Sequence, residues 1–197
     1  LHVQVFYESL CPDSLNFVTQ QLHPVAEELA PHIDLKLIPF GKSVSFKISD
    51  DNVQFICQHG SQECKGNKVQ SCALNAISDQ IAQVEYVNCF MKTFKKGQKN
   101  EGEYGQRCAE AVGLDSNYVS ECYSSPLGTQ LQLLAEQMTA TISPKFVPTI
   151  VYNRSSMFQR FDQQLQDGSL TDFRGVVCQL LQQTHPEACQ NSSVIRL

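Results

Sequence analysis

Cys11 stands between two kinds of sequence. The residues before it, 2–7, are β-prone; after it Leu15, Val18, Leu22, Val25, Ala26 and Leu29 recur at helical spacing. A cysteine at a strand-to-helix junction has the setting of a nucleophile. The thiolate is the species that attacks a disulfide, and the first turn of a helix offers it free N–H groups and partial positive charge. Pro12 suits that first turn, where a missing N–H has no helical partner to lose. Ser14, one turn on, is placed to donate its hydroxyl to the sulfur, while the charge of Asp13 opposes the thiolate. The motif Cys11-Pro12-Asp13-Ser14 therefore holds one nucleophile and no second sulfur.

The elements that must position Cys11 can be read from periodicity. Pro24 falls inside the helical pattern and predicts a kink or a break. Ile33, Leu35 and Leu37 alternate with Asp34 and Lys36, which predicts a second strand ending near Pro39. A strand–helix–strand unit with this crossover is parallel and right-handed. Residues 41–72 are rich in Gly, Ser, Asn, Lys and Cys, and their periodicity is poor. A helix is expected over 70–95, with Leu74, Ile77, Ile81 and Val84 on its apolar face. Shorter helices are expected over 104–112, ended by Gly113, and over 116–123, and another helix over 127–141. Strand character returns at 146–152, where Pro148 marks an edge or a special position. A hairpin strand at 157–161 and a last helix over 172–183 complete a β-β-α ending. The class is α/β.

Composition bounds the rest. The chain has 197 residues, a net charge of -5 and only 15 Lys+Arg without a basic stripe, which argues against nucleic acid as a partner. No run of eighteen apolar residues predicts a membrane span, and any signal peptide is expected to have been removed. Nine cysteines and two sequons, at Asn153 and Asn191, point to the secretory pathway and to glycosylation at those asparagines. The odd count leaves one thiol over, and Cys11 is the natural candidate. Cys57, Cys64, Cys72, Cys89, Cys108, Cys122, Cys178 and Cys189 remain as structural disulfides, with 105 pairings open. Cys178 and Cys189 are placed to staple the C-terminus to the last helix, and Cys89, Cys108 and Cys122 to pair among the central helices. Cys57, Cys64 and Cys72 beside His59 lack zinc-ribbon spacing, so no metal is expected and His59 is read as holding its loop by a hydrogen bond.

The run from Cys57 to Cys72 resembles the signature C-Q-H-G-x-x-E-C-x-x-N-x-x-x-x-C of the gamma-interferon-inducible lysosomal thiol reductase family. It matches at Cys57, Gln58, His59, Gly60, Glu63, Cys64, Asn67 and Cys72. Tyr7-Glu8-Ser9-Leu10-Cys11-Pro12 and Val147-Pro148 are also similar to that family, and the look is that of an invertebrate-type member. The resemblance implies one thioredoxin-like domain over 1–197, with a helical, disulfide-rich insertion at 41–142 between the β-α-β and β-β-α halves. It implies reduction of protein disulfides at acidic pH, in an endosomal, lysosomal or secreted setting, with no cofactor. By resemblance Pro148 is a cis-proline facing Cys11, and Pro12, Asp13, Val147 and Pro148 contact a polypeptide substrate. The chain departs from the family at Ser14, where a second cysteine belongs. Its expected mechanism is therefore monothiol, with Cys11 as nucleophile, Ser14 beside it, and cysteine, glutathione or a substrate thiol as resolver. The alternative is a binding protein on the same fold that holds or traps polypeptides beside Pro148, in host defence, without turnover.

Overall fold

The computed structural model describes residues 1–49, 52–95, 105–153, 161–182 and 184–189. Its strands are β1 (His2–Tyr7), β2 (Asp34–Pro39), β3 (Val44–Ser49), β4 (Asn52–Ile56) and β5 (Thr149–Asn153). β1 is the middle strand of the main sheet, parallel to β2 on one side and antiparallel to β5 on the other. Val3, Val5 and Tyr7 of β1 point into one apolar layer, while Phe6 joins Ile38, Phe40, Ala135 and Val151 on the opposite face. Alternation along a central strand thus fills two cores at once.

After Cys11 the chain forms α1 (Pro12–Phe17), a π-turn at Val18–Leu22, a 3-10 turn at His23–Val25 and α2 (Ala26–Leu29). Pro24 has no N–H to give the preceding turn, so the expected break appears as a change of helix type.

Between β2 and β5 lie the β3–β4 hairpin and the helices α3 (Ser61–Ala76), α4 (Gln80–Thr93), α5 (Gln106–Ala111), α6 (Ser116–Ser124) and α7 (Pro126–Ala140). The hairpin is a departure from the sequence expectation. Val44, Phe46 and Ile48 do alternate as a strand should, but their apolar side chains face solvent. Phe55 of β4 turns the other way and packs edge-on against Phe40. The single helix expected over 70–95 is two helices. α3 begins at Ser61, and α4 starts afresh where Asp79 accepts the Ala82 N–H at 2.7 Å. α8 (Gln163–Leu181) also starts earlier than expected, and its backbone breaks at Asp172 (φ -149°, ψ 70°). There Asp172 accepts the Gly175 N–H at 2.8 Å, which caps the second half of the helix at the start read from sequence. The hairpin strand expected at 157–161 lies outside the described residues except for Phe161, which belongs to no strand.

Four disulfides hold this frame: Cys57–Cys64, Cys72–Cys122, Cys89–Cys108 and Cys178–Cys189. The C-terminal staple is as expected. Cys122, however, reaches back to Cys72 and ties α6 to α3, rather than pairing with Cys89 or Cys108.

Candidate active site

Cys11 is the N-cap of α1, and with all eight other cysteines paired it is the free thiol. Its Sγ accepts the Ser14 backbone N–H at 3.4 Å and donates to the Val147 carbonyl oxygen at 3.6 Å. The Val147–Pro148 peptide bond is cis. β5 begins just past it, at Thr149, so this proline stands at the entrance of the strand instead of within it. Ser14 supports the sulfur differently from the sequence reading. Its backbone, not its hydroxyl, donates to Cys11, and its buried Oγ accepts the Glu8 N–H at 3.4 Å.

Asp13, Val147 and Pro148 line a groove of about 350 Å³ beside the thiol. Phe146 and Leu170 give it apolar walls, and Gln163 and Asp167 reach it from α8. Pro12 occupies the exposed first turn of α1. The α8 contribution was missed from sequence, since that part of the helix was not foreseen. Asn153 stands apart from the groove, buried at the end of β5 opposite His2, and Asn191 lies outside the described residues.

The loop that delivers Cys11 is gripped by α3. Glu63, Asn67 and Gln70 fall at i, i+4 and i+7, on one face of that helix. Gln70 Oε1 accepts the Tyr7 hydroxyl at 2.7 Å, Asn67 Oδ1 accepts the Ser9 N–H at 2.9 Å, and Glu63 Oε2 accepts the Leu10 N–H at 3.3 Å. The Ser9 hydroxyl returns a bond to the Glu63 carbonyl. All three helix side chains are fully buried, so each loop group they satisfy has no water to replace them. The fit needs a bare backbone at Gly66, where a Cβ would lie 2.5 Å from Ser9 Oγ and 2.6 Å from the Phe94 ring. Gly60, the N-cap of α3, takes φ +95°, a conformation L-residues avoid. The Cys57–Cys64 bridge closes the turn around it.

His59 does hold its loop, and it does more. Its N–H and Nδ1 both reach Glu63, at 2.9 and 2.6 Å, and Nδ1 lies 3.3 Å from Glu8 Oε2. Glu8 also accepts the Lys42 N–H at 2.7 Å. Burial pushes the Glu8 carboxyl above the ordinary carboxylate range; the Lys42 N–H works against this and the Glu63 charge adds to it. Among the described residues, Glu8, His59 and Glu63 are the group whose ligand atoms, all within 4.8 Å, could hold a cation. The imidazole already bridges the two carboxylates.

A thioredoxin-type sheet, a lone cysteine capping its first helix and a cis-proline at that sulfur together define the thiol–disulfide oxidoreductase class. The fold is similar to that of DsbA from Chlamydia trachomatis (TM-score 0.60, 16% identity, covering 95% of this chain and 88% of that one). It is also similar to oxidised BdbD from Bacillus subtilis (TM-score 0.56, 10% identity, 86% of each chain).

Residues 2–112 match the family model described as gamma interferon inducible lysosomal thiol reductase. A gamma-interferon-inducible lysosomal thiol reductase-like protein of Anopheles gambiae is 38% identical, over 91% of this chain and 76% of that protein. GILT-like protein 1 of Drosophila melanogaster is 34% identical, over 95% and 77%. The mouse gamma-interferon-inducible lysosomal thiol reductase is 29% identical, over 97% and 72%. The chain belongs to the gamma interferon inducible lysosomal thiol reductase family.

Proposed function

We propose that this chain reduces disulfides in polypeptides by a monothiol route, with Cys11 as nucleophile. The observation that carries this reading is the unpaired Cys11, capped by the Ser14 N–H and set against the Val147 carbonyl at the cis-proline. Cys11 sulfur attacks one sulfur of the substrate disulfide and releases the other as a thiol. The mixed disulfide left on Cys11 cannot be resolved by Ser14, because a hydroxyl does not take the place of a thiolate. An external thiol such as cysteine or glutathione attacks the Cys11 sulfur and frees the second substrate thiol. A second external thiol then restores Cys11 and leaves as the external disulfide. Net, one substrate disulfide and two external thiols give two substrate thiols and one external disulfide. No cofactor enters this sequence. The working compartment is acidic, endosomal or lysosomal, or the protein is secreted; the names of its relatives support the lysosomal setting. No helix among the described residues is long and apolar enough to cross a membrane.

The test is turnover of a disulfide-bonded peptide with excess cysteine at about pH 5, a pH at which the reductant remains mostly thiol. The parent is expected to turn over many equivalents, and Cys11→Ala none. Equal activity in Cys11→Ala overturns the reading.

A further inference from the structure

The groove beside Cys11 has a chemical bias of its own. Its floor and walls are apolar: Phe17 is buried beneath it, Phe146 and Pro148 flank it, and Leu170 is 36% exposed. Its rim is acidic. Asp13 comes from the first turn of α1, two residues from the nucleophile, and Asp167 from α8. Gln163 donates from Nε2 to Asp167 Oδ1 at 2.7 Å, one helical turn away, and fixes that carboxylate at the rim. Both aspartates are exposed, so they meet a ligand with no burial penalty of their own. Among the described residues the lining contains no lysine or arginine, although Lys145 is exposed next to Phe146 in the chain. The net charge of -5 has the same sign as the rim.

Resting on the reductase reading above, we propose that this groove selects its substrates. It takes disulfide-bearing polypeptides in which an apolar residue and a lysine or arginine stand together beside the disulfide. The apolar side chain packs between Phe146 and Leu170, and the cation lies across Asp13 and Asp167. Asp13, Asp167 and Gln163 are then specificity-determining residues, and the ratio of two peptides on one variant cancels any effect of Asp13 on the Cys11 thiol itself. An apolar groove alone would be indifferent to charge. Two carboxylates on one rim are not, because an acidic peptide meets like charge where a basic one meets opposite charge.

The experiment uses two disulfide-linked peptides identical except for Leu-Lys or Leu-Glu beside the disulfide, with hydroxyethyl disulfide as a small uncharged control. The readout is the ratio of kcat/KM, cationic over anionic, in the parent, Asp167→Asn, Asp13→Asn and the double variant. Exposed charge pairs of this kind give a parent ratio of about tenfold at low salt. The ratio is expected to fall to about twofold or less in the double variant, and to shrink in about 0.5 M salt as the rim is screened. Equal turnover of the two peptides, or a double variant that keeps the parent ratio, overturns the proposal. Failure of the underlying reading looks different: neither peptide nor hydroxyethyl disulfide is then reduced. In that case the same ratio is read from fluorescence anisotropy of both peptides on Cys11→Ala, where about tenfold tighter binding of the cationic one supports the selection and equal binding overturns it.

Discussion

Glu63→Gln tests whether the signature helix positions Cys11. Glu63 accepts three bonds through its carboxylate: the His59 N–H at 2.9 Å, His59 Nδ1 at 2.6 Å and the Leu10 N–H at 3.3 Å. Glutamine has the same shape, but one of its two terminal atoms is an NH₂. With that NH₂ in place of Oε1, it faces the His59 N–H; in place of Oε2, it faces the Leu10 N–H and Nδ1. Either orientation sets a donor against a donor in a fully buried site. A hydrogen bond to a charged acceptor contributes about 1.5–3 kcal/mol. Loss of the Glu63 charge also relieves Glu8, whose carboxyl that charge disfavours, and this offsets part of the cost. The net expectation is a loss of about 2 kcal/mol, which for a chain of this size lowers Tm by roughly 4–8 °C. Because Glu63 holds Leu10, the residue next to Cys11, the loosened loop exposes a thiol that is 5% accessible in the parent. Urea unfolding with the disulfides intact measures the first effect, and the rate of native-state Cys11 alkylation by iodoacetamide measures the second. Unchanged stability together with an unchanged alkylation rate refutes the positioning role of α3.

Three further outcomes are expected. Glu8 has a raised pKa in the folded chain, so its contribution to stability is fully present below the unfolded value of 4.5 and is lost as pH rises through the folded value. Glu8→Gln, which cannot ionise, should therefore gain on the parent as pH climbs from about 4.5 to 7, and parallel Tm–pH curves would rule this out. Replacing Cys72 and Cys122 together by serine opens a loop of sequence separation 50 and should cost about 4 kcal/mol in denaturant unfolding; a cost below about 1 kcal/mol contradicts the bridge as a global tie. Ser14→Cys puts a second sulfur one turn from Cys11, where the Ser14 N–H already touches the first. The mixed disulfide with a peptide should then discharge without added thiol, as seen by mass spectrometry, whereas the parent should retain it.

Much of this molecule was legible because its signals are local. The strand at 2–7, the proline-opened helix after it and the break at Pro24 depend on neighbours within one or two turns. The free thiol followed from parity, since nine cysteines cannot all pair. The signature carried the family, and with it the expectation of a cis bond at Val147-Pro148. α3 was obscured over 61–69 for a physical reason. It buries Glu63, Asn67 and Gln70 where most helices bury leucine, so no apolar periodicity announces it. The β3–β4 hairpin had the right alternation but sits with Val44, Phe46 and Ile48 outward, in a stretch whose composition reads as loop.

Sequence by itself determined the free thiol at Cys11, the serine at position 14 and the strand and helix that flank them. Only the tertiary structure decided what those residues touch. It set Cys11 against a carbonyl 136 residues away, joined Cys72 to Cys122, and brought Glu8, His59 and Glu63 into one cluster of charge-pair distances. It also brought Asp13 and Asp167 to the same rim. These pairings are chosen by how helices pack on a twisted sheet, and a side chain's nearest partner in space leaves no periodic trace in the chain.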